Sequence, residues 1–312
     1  MYLLYLVRFG YVLITTSAIC ASIFPQLRHS ILDYGKLNEG KNVSRKYEGT
    51  WIDTLRSIQV PKRWFQHFYI FGFIWNLWLI LEFISWLSFS KKWFLLNILP
   101  KLDTPVEVEF SGSPERALYA LLLTQVQLTR RSYEVLFVEK PSTATMHLGH
   151  YLVGLCFYLA ISLSVWLEAA GNLGVYSTSV PQLSWNPSFI EVMIMLLSTM
   201  IFGYFSYRQY RCHVILSNLR AGSSEVKPGP PKYFLPRGDL FEYVTGGHYF
   251  GEIMIYFSLW LLVGLSNITM GLGFFWVFIN LSIIARETHG WYHSRFPDKY
   301  PKNRKIIIPY VY

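Results

Sequence analysis

The C-terminal third of the chain interrupts very apolar segments with polar, cation-rich ones, from residue 208 onward. Arginine suits phosphate oxygens because its N–H groups form a planar fork. Cations between membrane helices need a partner, since lipid offers none. The sequence therefore predicts a buried anion site built from residues 208–220, 235–243, 248–252, 289–292 and 300–305.

Glu252 is predicted to lie one turn inside an apolar helix, four residues after His248. Residues four apart share a helix face, and ionisable groups at that depth line a polar cavity. A lone charged residue near a helix end often extends back to the interface instead. Because His248 is predicted to share its helix face, Glu252 is expected to line a polar cavity.

Segment 208–220 places its polar residues with helical period, which alone is typical of a solvated helix extension. Arg237, Arg304 and Lys305 are predicted on the same side, and together these cations could clamp a pyrophosphate and a ribose phosphate. The chain has neither a Gly-x-Gly-x-x-Gly turn after a predicted strand nor a Gly-x-x-x-x-Gly-Lys loop, so Rossmann and P-loop binding are not supported. A nucleotide would have to bind between helices.

Membrane helices must position these residues. Hydrophobic residues make up 52% of the chain and charged residues 15%, whereas a soluble domain carries about 25% charge. About 20 apolar residues cross the hydrocarbon core. We expect an all-α, polytopic protein, a single integral membrane domain over residues 1–312, with about seven spans at 2–25, 64–89, 114–137, 147–170, 188–207, 248–266 and 269–286.

The first apolar segment is expected to be a retained helix. It is longer than the core of a cleaved signal peptide, and Arg8, the only nearby positive charge, lies inside it rather than before it. The three cysteines show neither a disulfide framework nor zinc-ligand spacing. No metal is therefore predicted.

Lysine and arginine residues are distributed unequally between the segments on the two sides of the predicted membrane spans. Of 28, 23 lie within residues 26–63, 130–140, 208–237 and 286–312, four lie on the opposite side, and Arg8 lies in the first helix. The positive-inside rule places the C-terminus in the cytosol. A topology signal together with attraction to anionic lipids explains the net charge of +9 without nucleic acid.

Two segments resemble a known family: Cys-His-Val-Ile-Leu-Ser-Asn-Leu-Arg at 212–220 and Val-Pro-Lys-Arg-Trp-Phe-Gln-His-Phe-Tyr at 60–69. They are similar to the polyprenol (polyprenal) reductase branch of the steroid 5-alpha-reductase family. The resemblance spans most of the chain. It implies NADPH in a cavity of the C-terminal region, residues 188–312, capped by cytosolic loops. Residues 1–170 would supply substrate-side helices, and the location would be the endoplasmic reticulum membrane.

The resemblance also implies site residues. Matching cofactor positions are Gln209, His213, Arg220, Tyr233, His248, Glu252, Tyr292 and Arg304, and we add Asn218, Arg237 and His289 from the polar segments. Arg131 and Glu134 match the family's Arg-Arg-x-x-Glu motif, which lies near the junction of substrate and cofactor. We therefore expect Arg131 at the cofactor and Glu134 in catalysis. Arg130 is expected to be a cytosolic stop signal.

Three departures separate the chain from the steroid enzymes. Gln209 and His213 occupy the positions where the steroid enzymes carry an Asn-x-x-x-Asp pattern. This difference favours the polyprenol branch for this chain. Phe234 stands where they have Arg, so Lys232 or Arg237 would have to replace that cation. Gln59 falls where they have a Gln-Glu pair, and the missing carboxylate argues against a steroid ketone as substrate.

The aromatic run at 64–69 has two interpretations. Such a run is typical of the aromatic belt at a membrane surface. Alternatively, His67 or Tyr69 points into the cavity as a proton donor. Tyr151, with His147 and His150, is equally compatible with polar packing between helices and with a catalytic role.

Hydride is a nucleophile and needs a polarised double bond. An allylic alcohol is not conjugated to a carbonyl, so the expected acceptor is the α,β-unsaturated aldehyde polyprenal, reduced to dolichal and feeding dolichol-linked N-glycosylation. A donor such as His67, Tyr69 or Tyr151 would stabilise charge at the aldehyde oxygen. A 3-oxo-5-alpha-steroid 4-dehydrogenase, an enoyl-type reductase and a non-catalytic lipid-binding or transport protein stay open. The expected partners are a polyisoprenoid and membrane lipids, with no nucleic acid or obligate protein partner indicated.

Overall fold

The computed structural model describes residues 2–24, 58–102, 112–140, 144–181, 183, 186–224 and 233–312. Within these residues the chain forms eight α-helices and one small two-stranded sheet. The helices are α1 Tyr2–Ile23, α2 Gln66–Phe89, α3 Leu95–Leu102, α4 Pro114–Tyr133, α5 Leu148–Ser164, α6 Phe189–Ser224, α7 Gly247–Val263 and α8 Ile268–Arg295. The predicted fold class, an all-α membrane protein, is confirmed.

Five segments of the described chain are long and apolar enough to cross a membrane: Tyr2–Ile23, Lys62–Phe89, Leu148–Ala169, Phe189–Arg220 and Ile268–Arg295. The two other predicted spans form helices that are too short or too charged to be counted with these five. Helix α7 has only 17 residues, and α4 carries Glu115, Arg116, Arg130 and Arg131. The predicted count of seven is therefore not confirmed.

A small two-stranded antiparallel sheet joins the starts of two helices. Strand β1, Gln59–Pro61, pairs with β2, Thr145–His147, with Val60 opposite Met146. Helix α2 begins one turn after β1, and α5 begins directly after β2. This strand pairing therefore brings residues 64–69 beside Tyr151.

Helices α6 and α7 pack closely because Gly251 has no side chain. A Cβ at this position would come within 3.0 Å of the Cβ of Gln209, tighter than ordinary van der Waals contact. Gln209 is therefore held against the first turns of α7. This closeness allows one side chain to bridge the two helices.

The N-terminal helix is fixed by an ion pair. Arg8 Nη2 lies 2.8 Å from Oε1 of Glu168, and Arg8 Nε donates to Thr269 Oγ1 at 2.9 Å. The same carboxylate oxygen accepts from the backbone N–H of Thr269 at 2.7 Å. Charges removed from water need such partners, so this contact joins α1 to the start of α8.

The C-terminal segment after α8 returns to the start of α7. Backbone N–H groups of Thr245 and Gly246 donate to the carbonyls of Lys305 and Ile306 at 2.8 and 3.0 Å, and Lys305 N–H donates to Tyr243 at 2.9 Å. This pairing places Arg304 beside the loop that carries Pro236.

Candidate active site

A buried charge cluster lies where α2, α4, α6 and α7 meet. Its members are Tyr69, Arg130, Arg131, Glu134, Gln209, His213 and Glu252. Arg131 is its centre and only 4% exposed. Its guanidinium donates to Glu134, to Glu139 at 3.2 Å and to the hydroxyl of Tyr69 at 2.9 Å. Arg131, expected at the cofactor, and Glu134, expected in catalysis, are therefore in direct contact.

His213 shares the carboxylate of Glu134 with Arg131. Its Nδ1 lies 2.6 Å from Glu134 Oε2 and 2.7 Å from Nη1 of Arg131. One ring nitrogen can donate to the carboxylate or accept from the guanidinium, but not both. Glu134 is fully buried, and the guanidinium groups of Arg130 and Arg131, which both contact its carboxylate, supply the positive charge that a buried carboxylate needs to remain ionised.

Glu134, Glu139 and His213 place ligand atoms within 4.8 Å of one another, a spacing that suits a metal ion. Nη1 of Arg131 contacts all three. The guanidinium therefore supplies the positive charge at this point.

Arg130 was expected to be a cytosolic stop signal, but its side chain lies within the charge cluster. Its guanidinium contacts Glu134 and Gln209 and donates to Gln127 Oε1 at 2.8 Å. Gln127, which the sequence analysis missed, also lies within 3.4 Å of Gln209. Its spacing of three residues before Arg130 on one helix is the signal that could have found it.

Gln209 bridges α6 and α7. It is 2% exposed, and its amide Nε2 donates to the carboxylate of Glu252 and to the carbonyl of His248 at 3.3 Å. The rings of His213 and His248 lie 5.7 Å apart. The structure thus brings Gln209, His213, His248 and Glu252 together, as the resemblance implied.

Buried tyrosines line one side of the charge cluster. Arg131 stacks on the ring of Tyr69, 4.4 Å from its centroid. The ring of Tyr158 lies 5.2 Å from that of Tyr69, and Tyr158 and Tyr256 are both buried. Tyr158 and Tyr256 carried no recognisable motif and were missed.

His67 and Tyr151 form a separate pair. His67 Nδ1 lies 3.1 Å from the hydroxyl of Tyr151, and the ring of Trp64 packs 5.4 Å from that of Tyr151. No hydrogen bond links either residue to Arg131 or Glu134 among the described contacts. Of the three predicted donors, only Tyr69 therefore belongs to the charge cluster.

Arg304 lies in a second polar site beside the C-terminal segment. It is 4% exposed, and its Nη1 donates to the carbonyl of Pro236 at 3.1 Å. Nε and Nη2 are buried without a hydrogen-bond partner among the described residues. Burial lowers the pKa of this guanidinium, although arginine remains a cation at neutral pH. Two unpaired donors on a buried cation mark a place for an anion.

His289 lies in the same region, in a network with Thr245 and Tyr300. Its Nδ1 is 2.8 Å from Thr245 Oγ1 and 2.9 Å from the hydroxyl of Tyr300, and the two hydroxyls contact each other. Tyr292, also predicted, is buried near Arg304. The ring of Tyr233 packs 4.9 Å from that of Trp291.

Three of the predicted cofactor residues face outward: Asn218, Arg220 and Arg237 are exposed. Arg220 lies 3.5 Å from the carbonyl of Lys140. Lys232, a suggested replacement cation, lies outside the described residues. The structure therefore gathers most of the predicted cofactor residues into two buried sites and leaves Asn218, Arg220 and Arg237 outside them.

Comparison with known proteins places these sites in a family. Residues 152–312 match the sequence profile of the family described as 3-oxo-5-alpha-steroid 4-dehydrogenase. The chain is 34% identical over 269 residues to the polyprenal reductase of Homo sapiens, covering 82% of this chain and 79% of that protein. It is 32% identical over 296 residues to that of Xenopus tropicalis, covering 93% and 90%.

A plant relative gives a similar result. Polyprenal reductase 2 of Arabidopsis thaliana is 33% identical over 291 residues, covering 81% of this chain and 82% of the relative. The similarity thus extends well beyond the C-terminal region that the family profile matches. This chain belongs to the steroid 5-alpha-reductase family of oxidoreductases, in its polyprenal reductase branch.

Proposed function

We propose that this protein uses NADPH to reduce the α-isoprene double bond of polyprenal, giving dolichal. Its relatives are named polyprenal reductases. The chemistry supports the same substrate, because conjugation to the aldehyde makes the β-carbon electrophilic. The absence of a carboxylate at Gln59 further separates the chain from enzymes that act on steroid ketones.

The observation that carries the cofactor assignment is the buried, incompletely bonded Arg304. A charged group without full hydrogen bonding in the interior costs free energy unless a ligand completes it. Phosphate oxygens fit, because charge-assisted bonds to guanidinium are strong and planar. Arg304, supported by the outer cations Arg220 and Arg237, would hold the phosphates of a dinucleotide.

The end of such a cofactor that carries the carboxamide fits the charge cluster. Gln209 and Glu252 present an amide and a carboxylate, and these groups can bond to a carboxamide. When bound, NADPH supplies a hydride. The packed helices around Gln209 exclude water, which protects a reactive reduced carbon from side reactions.

Tyr69 is the proton donor that we favour. Its oxygen accepts a hydrogen bond from Nη2 of Arg131 at 2.9 Å, which leaves its own proton free for the aldehyde oxygen. As the β-carbon gains hydride, negative charge moves to that oxygen and the tyrosine proton stabilises it. The cation of Arg131 then stabilises the phenolate. The α-carbon takes up one proton from solvent while the enol hydroxyl returns its proton to the phenolate, which gives the saturated aldehyde and restores Tyr69.

We also propose the endoplasmic reticulum membrane as the location, with a cytosolic C-terminus. The asymmetric distribution of lysine and arginine supports this orientation, and the family resemblance suggests the compartment. The product would feed the supply of dolichol for N-glycosylation.

Product analysis tests the function. Purified protein is given NADPH carrying deuterium at the transferred position, with polyprenal, polyprenol or a 3-oxo-4-ene steroid in separate reactions. Mass spectrometry should find deuterium at the β-carbon of dolichal, and little reaction with the other two compounds. Deuterium at the carbonyl carbon would indicate an aldehyde reductase, and rapid steroid turnover would favour the steroid enzyme; either result overturns the proposal.

A further inference from the structure

The network around His289 connects three parts of the chain that are far apart in sequence. Thr245 precedes α7, His289 lies near the end of α8, and Tyr300 follows α8. Thr245 Oγ1 also lies 3.3 Å from the carbonyl of Lys305. Four contacts therefore join two hydroxyls, one ring nitrogen and one carbonyl.

Counting protons in this network fixes the state of the histidine. Each hydroxyl has one proton, and a carbonyl has none. If Nδ1 of His289 lacked a proton, two protons would have to serve all four contacts. If Nδ1 carries one, it donates to both hydroxyl oxygens, Tyr300 donates to Thr245, and Thr245 donates to Lys305. This arrangement fills every contact with one shared proton, whereas an unprotonated Nδ1 would require both hydroxyl protons to be shared, which weakens each bond.

A second positive charge at this position is disfavoured. The guanidinium carbon of Arg304 lies 5.7 Å from the ring centroid of Tyr300, and like charges repel most strongly away from water. The ring of His293 also lies close, 5.8 Å from that of Tyr300. The neutral imidazole with its proton on Nδ1 therefore satisfies both the hydrogen bonds and the local charge.

We infer that Thr245 and Tyr300 are positioning residues that hold His289 neutral with its proton on Nδ1, so that Nε2 accepts a hydrogen bond from the cofactor. Nε2 has no hydrogen-bond partner among the described residues. An acceptor at this place suits a hydroxyl or amide N–H of a dinucleotide, whereas Arg304 suits its phosphates. This role rests on the proposed use of NADPH.

Nitrogen NMR of the full chain in detergent, with labelled histidine, reads the tautomer without any cofactor. His289→Gln identifies the His289 signals. We expect a protonated Nδ1 and an unprotonated Nε2 in the unaltered protein. Thr245→Val should weaken this preference, and Thr245→Ser should restore it. A proton on Nε2 in the unaltered protein, or a preference unchanged in Thr245→Val, would overturn the inference.

Affinity for NADPH provides the second readout. Thr245→Val and Tyr300→Phe should each weaken binding about five-fold, the loss expected for one neutral hydrogen bond. Thr124→Val is the matched control, because among the described residues the Thr124 hydroxyl bonds only to a carbonyl of its own helix. If the expected tautomer is found but affinity is unchanged in the two variants, the positioning role is refuted. If the unaltered protein binds no NADPH, the proposed function fails, and the role toward the cofactor fails with it.

Discussion

Replacing Arg304 by methionine tests the anion site, because methionine keeps much of the length and removes the charge and the donors. Without ligand, Arg304 makes one hydrogen bond to the described residues, to Pro236, and buries two unpaired donors. Losing a bond from a charged donor costs about 1.5–3 kcal/mol, while removing an unsatisfied buried donor returns about 1–3 kcal/mol. Because two such donors are removed, the gain matches or exceeds the loss. The melting temperature of Arg304→Met in detergent should therefore not fall.

Cofactor affinity should respond very differently. Nε and Nη2 of Arg304 would each make a charge-assisted hydrogen bond to phosphate, worth about 1.5–3 kcal/mol. Because neighbouring contributions do not add fully, we expect a loss of about 3 kcal/mol, which corresponds to about a hundred-fold weaker binding of NADPH. Added salt should narrow the difference only slightly, since buried charges are poorly screened.

Tryptophan fluorescence offers a direct assay, because the chain contains 11 tryptophans whose emission a bound dihydronicotinamide would quench. Arg286→Met is the matched control: Arg286 is exposed on α8, 3.8 Å from Glu287, and its loss should leave affinity and melting unchanged. An unaltered dissociation constant in Arg304→Met would refute the anion site. A large fall in melting temperature would show that Arg304 supports the fold instead.

Three further predictions address the chemistry and the topology. Tyr69→Phe should bind NADPH normally and lose about 10²–10³-fold in turnover of polyprenal; Tyr133→Phe, at an exposed tyrosine, is the control, and a fully active Tyr69→Phe would exclude this donor. Glu252→Gln removes the charged acceptor of Gln209 and should weaken NADPH binding about ten-fold or more with little change in melting; unchanged affinity would contradict this. A tag after Tyr312 should be open to protease in sealed microsomes while one before Met1 is protected, and finding both on one side would require an even number of spans.

The membrane helices follow closely from the sequence, because long apolar runs leave few alternatives. The spans predicted at 147–170 and 269–286 correspond to Leu148–Ala169 and Ile268–Arg295. Charged residues inside a run make the pattern ambiguous. Helix α4 forms as expected, yet Arg130 and Arg131 at its end serve the charge cluster, so composition alone cannot say whether α4 crosses the bilayer.

Spacing along one helix can be predicted, whereas contacts between helices cannot. The shared face of His248 and Glu252 follows from helical geometry. The contact of Arg131 with His213 joins residues 82 apart and depends on how α4 packs against α6. Sequence also treats Arg208 and Arg304 as similar cations. In the structure Arg208 lies 2.6 Å from Asp239, while Arg304 has no carboxylate partner among the described residues.

The pairing of residues 305–306 with 243–246 has a consequence for biosynthesis. In a chain made from its N-terminus and inserted as it emerges, every helix of the charge cluster is translated before Arg304 and Lys305. The anion site that we propose at Arg304 can therefore form only after these helices have been translated. Chains arrested before residue 304 would hold a packed bundle unable to retain a nucleotide. NADPH would thus stabilise finished molecules selectively, giving cellular quality control a means to tell them from incomplete ones.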